Sequence, residues 1–259
     1  MELVTGFKSL DEAIGGLQYG SLVTLAGRPC MRTMYFVHTM MRSWMKSDVV
    51  KEGFVFFSLK DKKERVYRHL FGSDYTDEAI DAKYIVEMHR SEKKLSGLCD
   101  KIRMYTWKEG KRVFVIDNFN NIEARGIRDL HHEMHTIAKT LSKLAHELDV
   151  IIIVDAMLFS YYIEEREGID AKIPSLADLG YEGMSGDLDV FSDMVLGFWS
   201  PEKYRIYLNE SGDDLSNIVQ IEVLKNVYDD ASEGRRLELY MIGETLCVEN
   251  VMKQQDLFD

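Results

Sequence analysis

Residues 22–36, Leu-Val-Thr-Leu-Ala-Gly-Arg-Pro-Cys-Met-Arg-Thr-Met-Tyr-Phe, constrain the fold more than any other stretch of this chain. An apolar, β-rich run turns through Gly27 and Pro29 and continues as the start of a helix. A strand, a glycine turn and a helix in that order make a phosphate-cradling turn, because backbone N–H groups at a helix start point at an anion. The pattern G-x-x-x-x-G-K-[ST] is only partly kept. Gly27 holds its first position, but Arg32, Thr33 and Met34 stand where the second glycine, the lysine and the hydroxyl belong. The layout of a nucleotide site is present, and the groups that handle phosphate and metal are replaced.

The rest of the chain supplies a frame for that turn. Residues 5–21 read as a short helix stopped by Gly15-Gly16 and followed by a turn at Tyr19-Gly20. A helix is expected over 33–45, with Phe36, Val37, Met40 and Met41 as its buried stripe. Residues 55–59 form a buried strand with Lys60 at its C-terminal end, and the charged run 61–68 opens the next helix as a solvated face. Residues 73–100 are polar and helical in character, with a short strand before Arg103. Residues 112–117 make an apolar strand closing on Asp117, and 127–148 a helix with Ile137, Leu141, Leu144, Ala145 and Leu148 at helical spacing. A buried strand follows at 150–155. Residues 160–192, rich in Gly, Asp and Glu, read as long mobile loops, and strands are expected at 194–199, 205–208, 219–224, 237–240 and 246–251.

Alternating strands and helices followed by closely spaced strands predict an α/β fold, a mostly parallel twisted sheet with helices on both faces and an antiparallel C-terminal flank. One domain over 1–250 and a tail at 251–259 account for the chain. Ligands in such sheets bind beyond the carboxyl ends of the strands, where Gly27, Lys60, Asp117 and Asp155 all fall. No apolar run is long enough to span a bilayer and no signal-peptide pattern begins the chain. The three cysteines, Cys30, Cys99 and Cys247, are scattered without a C-x-x-C pair, so a cytoplasmic protein with no disulfide framework is expected. A net charge of −12 argues against gripping nucleic acid over the whole surface.

Further motifs, read together, resemble the C-terminal RecA-fold ATPase domain of DnaB-type replicative helicases. They are Thr5-Gly6-Phe7, Leu10-Asp11, Gly15-Gly16-Leu17, Gly20, Leu22 and Ala26-Gly27-Arg28-Pro29 with Met31. Phe56-Phe57-Ser58-Leu59, Val115-Ile116-Asp117, Leu144-Ala145 with Glu147-Leu148 and Val150, and Asp193 through Tyr204 extend the match in order, over roughly 5–245. The resemblance implies a RecA-like fold, ATP and Mg²⁺ as ligands of an intact site, and Gly27, Arg28, Pro29, Cys30, Met31, Arg32, Thr33 and Met34 as its degenerate phosphate turn. It begins at residue 5, without the family's N-terminal helical domain and linker helix, which argues against a hexameric ring while leaving a homo-oligomer open.

Departures from the family pattern gather at the chemistry. Thr33 replaces the lysine that neutralises the β- and γ-phosphates, and Met34 the Mg²⁺-holding hydroxyl. Lys60 stands at the catalytic glutamate, and Ala156-Met157 at a polar Ser-Gln pair. Of a lysine and an arginine that reach a neighbour's γ-phosphate, Lys225 remains and Val227 replaces the other. Loops expected at single-stranded DNA carry Glu164, Glu165, Glu167 and Asp170, which repel phosphates. Only Asp117 survives of the metal-handling set.

Losing an oriented cation, a base and a metal ligand each costs ~3 kcal/mol of transition-state stabilisation, by analogy with single-donor losses. The expectation is therefore a helicase-like protein that has lost ATP hydrolysis and needs no cofactor, acting as an accessory or scaffold in DNA replication or mobile-element maintenance. An active helicase or translocase with an unorthodox phosphate turn and a non-hydrolysing nucleotide sensor are the alternatives.

Plainer readings apply to several residues. Asp117 is a structural strand-end carboxylate if it is not a metal ligand, and Lys60 pairs with it where nucleotide would sit. His131, His132 and His135 miss the H-E-x-x-H spacing and read as an exposed helix face. Met31, Met34, Met40, Met41 and Met45 fill core and occlude the pocket. At the C-terminus, Gln254, Leu257 and Phe258 resemble the anchors of the pentapeptide that docks on the bacterial sliding clamp, with Gln255 departing from the common leucine.

Overall fold

A computed structural model describes residues 2–72, 82–88, 93–124, 126–127, 129–158, 163–168, 170–180, 187–243 and 246–249. The tail that carries Gln254, Leu257 and Phe258 lies outside the described residues.

Chain order runs β1 (Glu2–Leu3), α1 (Lys8–Ile14), β2 (Leu17–Gln18), β3 (Ser21–Gly27), α2 (Thr33–Ser47), β4 (Val55–Ser58), α3 (Lys63–Phe71), β5 (Ile85–Met88), α4 (Leu95–Glu109) and β6 (Val113–Asp117). It continues with α5 (Leu130–Leu148), β7 (Ile151–Met157), the single-turn α6 (Leu188–Phe191), β8 (Met194–Trp199), β9 (Ile218–Asn226), β10 (Arg236–Ile242) and β11 (Leu246–Glu249). Nine strands form one sheet in the order β11-β10-β9-β8-β3-β7-β6-β4-β5, while β1 and β2 make a separate antiparallel pair. From β8 to β5 every neighbouring pair is parallel, and β9, β10 and β11 add the antiparallel flank. The architecture is the expected α/β one.

Each strand's composition follows from its place. All seven residues of β3 are buried, as befits a parallel strand covered on both faces. Its side chains alternate between two cores. Val23 and Leu25 join Phe36, Val37, Met40, Met41 and Trp44 of α2 on one face. Leu22 and Ala26 join Ile137, Ala138, Leu141, Leu144 and Ala145 of α5 on the other. The flanking β9 instead alternates half-buried and buried residues through most of its length, the pattern of a sheet covered on one side.

Two expectations need correction. Residues 205–208 form no strand; only an isolated bridge pairs Leu208 with Asp214. Arg205 takes a left-handed conformation that closes a 3-10 turn over Pro201–Tyr204, and Tyr207 and Leu208 are exposed while Ile206 packs against the core. The polar region 73–100 holds the edge strand β5 at Ile85–Met88, and Arg103 lies inside α4, whose buried face carries Leu98, Ile102 and Tyr105. Helix α5 starts at Leu130 because Asp129 caps it, its carboxylate accepting the His132 N–H at 2.8 Å.

Candidate functional site

The turn after β3 keeps its backbone shape although its side chains have changed. Arg32, at the position of the second glycine, has φ 66° and ψ 17°, the left-handed conformation glycine adopts without strain. For arginine that conformation costs about 1 kcal/mol. Gly27 is still required, because a Cβ there would meet Thr33 Oγ1 at 2.7 Å. Thr33 is buried and turned back on Gly27, so no ammonium replaces the missing lysine at that position.

Three links fasten the turn to the segment after β8. The Arg32 guanidinium donates to Glu202 at 2.8 Å, the Lys203 ammonium donates to the Pro29 carbonyl at 2.8 Å, and the Ser200 N–H donates to Met31 Sδ at 3.1 Å.

Strand register builds the floor. In the parallel ladder Ser58 sits beside Asp117, and Asp117 beside Asp155, so two carboxylates emerge together at the strand ends. Lys60, just beyond β4, reaches both, at 2.9 Å from Asp117 Oδ1 and 3.8 Å from Asp155 Oδ2. The expected ion pair is present, and it is a triad. Burial, with the neighbouring Asp117 charge, pushes the Asp155 carboxyl up to about 7. Burial also raises Asp117, against the pull of Lys60. Burial draws Lys60 down, but the two carboxylates outweigh it and leave the ammonium firmly charged. An ammonium so held cannot take a proton from water at neutral pH.

Beside this floor lies a cleft of about 280 Å³, walled by the turn, Met34, Lys60, Arg65, His69 and Met157. Gly27, Lys60 and Asp155 all line it, with Asp117 bound beneath through Lys60. The sequence reading missed one buried element of its wall. His38 of α2 is buried and stacks on His69 of α3, ring centroids 5.2 Å apart and planes 5° from parallel. Among the described residues neither ring nitrogen of His38 has a hydrogen-bond partner. The helical spacing of Met34, His38 and Met41 was the signal that His38 faces inward.

Other expected site residues lie elsewhere. Lys225 turns into its own chain, donating to the carbonyls of Asp189 and Val190 at 2.8 and 3.1 Å, while Val227 is exposed. Glu164 folds onto Arg28 as an ion pair, whereas Glu165 and Glu167 face solvent. His131 and His135 are partnered rather than free on an open face: both meet Asp187, His135 Nδ1 at 2.7 Å and His131 Nε2 at 3.4 Å. Among the described residues no group of three His, Cys, Asp or Glu side chains is arranged to hold a metal ion.

Residues 2–95 match the family model of the DnaB-like helicase C-terminal domain. Over that stretch the chain is similar to the DnaB-like helicases. Two solved structures share its architecture: a DnaB-like replicative helicase described with its interactions with primase, and a second structure described as an ATPase domain. Each superposes with a TM-score of 0.76 at 22% identity over 96% of this chain. The chain spans 63% of the first protein's length and 91% of the second's. At that identity the superpositions establish the fold, a RecA-like sheet of the DnaB C-terminal type. No curated protein matches the chain. The DnaB-like stretch ends before β6, so Asp117 and Asp155 are placed by the fold alone.

Proposed function

We propose that this DnaB-like protein no longer hydrolyses ATP and acts as an accessory or scaffold in DNA replication or mobile-element maintenance. The observation that carries the reading is Lys60, whose ammonium sits 2.9 Å from Asp117 in the place the resemblance gives to the catalytic glutamate. The donor set does not fit a magnesium nucleotide: Met34 offers no hydroxyl, Thr33 faces Gly27, and Asp117 is engaged by Lys60.

Magnesium-dependent ATP turnover by the purified protein is expected to be indistinguishable from a no-enzyme control. Turnover abolished by Asp117→Ala would refute the reading.

The non-hydrolysing sensor is supported by two observations, the retained left-handed turn and the 280 Å³ cleft beside it. A thermal-shift titration with ATP separates the two, since a ligand at a hundred times its Kd stabilises the native state by ~2.7 kcal/mol.

The C-terminal anchors Gln254, Leu257 and Phe258 extend the proposal to a partner, the bacterial sliding clamp. A labelled peptide of residues 250–259 is expected to bind the clamp, and replacing both Leu257 and Phe258 by alanine to abolish binding, because an extended tail relies on its apolar anchors. Identical titrations for the two peptides would dismiss this partner.

A further inference from the structure

Arg28 lies behind the turn with its side chain fully buried. Its only anionic contact among the described residues is the Glu164 carboxylate, brought from a segment 136 positions later in the chain. The contact is an ion pair without hydrogen-bond geometry, and the guanidinium nitrogens find no hydrogen-bond acceptor among the described residues. The guanidinium lies over the Tyr204 ring at 5.4 Å, and that ring stacks on Trp199.

Two more cations face the same carboxylate. Lys172 Nζ is 3.9 Å from Glu164 Oε2, and Lys203 Nζ is 4.0 Å from Glu164 Oε1. Both distances exceed a hydrogen bond. Among the described residues each ammonium donates once to a carbonyl, Lys172 to Glu164 and Lys203 to Pro29, each at 2.8 Å, which leaves donors to spare there. Among the described residues, three positive charges therefore surround one carboxylate that touches one of them. Asp178 acts on Arg28 from farther off and is itself paired with Arg166. Burial lowers Arg28, and burial with the nearby Arg28 charge lowers Lys203 against the pull of Glu164.

We propose that Arg28, Lys172 and Lys203 form an oxyanion socket that Glu164 fills from within, and that a phosphate-class dianion displaces it. A phosphate group carries about −1.5 to −2 charges at neutral pH and three acceptor oxygens, where the carboxylate has one charge and two. It is large enough to span cations that a carboxylate leaves 4 Å away. Arg28 also lines the Lys60 cleft, whereas Glu164, Lys172 and Lys203 lie outside its wall, so the socket adjoins the cleft through Arg28, and phosphate binding to it is read without reference to ATP hydrolysis.

The test is calorimetric titration of the intact protein with inorganic phosphate. Glu164→Gln, which keeps the side chain's shape but removes its charge, is expected to tighten binding by about tenfold. Adding Lys172→Ala or Lys203→Ala to that variant is expected to weaken it by about tenfold again. Should Glu164→Gln fail to fold, phosphate is expected to raise the melting temperature of the wild-type protein and leave that of Lys172→Ala unmoved. ADP assigns the source: competition with phosphate identifies a nucleotide's phosphates, and its absence the free ion, and either result supports the socket. Failure of phosphate to bind the folded Glu164→Gln protein, or binding that neither lysine substitution changes, overturns it.

Discussion

Replacing Lys60 by methionine is expected to lower the stability of the fold by about 2–3 kcal/mol at pH 8, and by clearly less at pH 5.5. Removing one partner of a buried pair commonly costs about 3–5 kcal/mol, because the other charge is left uncompensated. Lys60 is itself partly exposed, its side chain keeping 39% of its accessibility, so solvent screening reduces the figure. The pH dependence identifies the cause. Asp155 has a folded pKa of about 7, above the usual carboxylate value, so the native state takes up its proton more readily than the unfolded chain. The stability linked to that proton is complete below the unfolded value and is lost as pH rises through about 7. Lys60 limits the loss by stabilising both carboxylates in their charged form. Without it the loss deepens as they ionise, and urea titrations at the two pH values measure the difference. Equal destabilisation at both would mean that methionine acts through packing alone.

The second large effect runs the opposite way in pH. His38 is held neutral to about pH 3 by burial first, then by the charges of His69, Arg42, Arg65 and Lys60 around it. The unfolded chain binds a proton at that residue below about pH 6.5, while the native state refuses it. Stability is therefore lost as pH falls from 6.5 toward 3, by up to roughly 5 kcal/mol at about 1.4 kcal/mol per pKa unit. His69 is lowered too, by burial and the nearby Arg65, and adds in the same direction. His38→Leu is expected to remove most of this acid sensitivity. Because the ring nitrogens of His38 have no partners among the described residues, an apolar replacement orphans no donor or acceptor there, and the variant should be at least as stable at pH 7. Denaturation midpoints between pH 7 and 4 for the two proteins give the comparison. Parallel declines would assign acid lability to other groups.

What the sequence disclosed, and what it hid, divides by distance along the chain. The strand, turn and helix from β3 to α2 were legible because one local pattern fixes all three, and the two buried faces of β3 follow from its unbroken apolar run. Asp117 and Asp155 were legible as strand ends, and a parallel register then makes them neighbours. Glu164 on Arg28 was not: its charge read as a loop repelling DNA, and nothing nearby in the sequence marks a buried arginine as its partner. Nor was the stack of His38 on His69, which needs α2 and α3 to pack at a particular height. The expected strand at 205–208 failed because apolar residues specify a strand only where something covers them, and here Ile206 packs on the core while Tyr207 and Leu208 stay exposed.

The turn's three ties to residues 200–203 also set how this part of the molecule opens. They join positions about 170 residues apart, so the loop around Pro29 cannot loosen alone; it must release β8's exit segment at the same time. Local opening is then cooperative across the two segments, a single unit in which neither fluctuates without the other. A loop so coupled behaves as part of the sheet's scaffold rather than as a flap over the cleft.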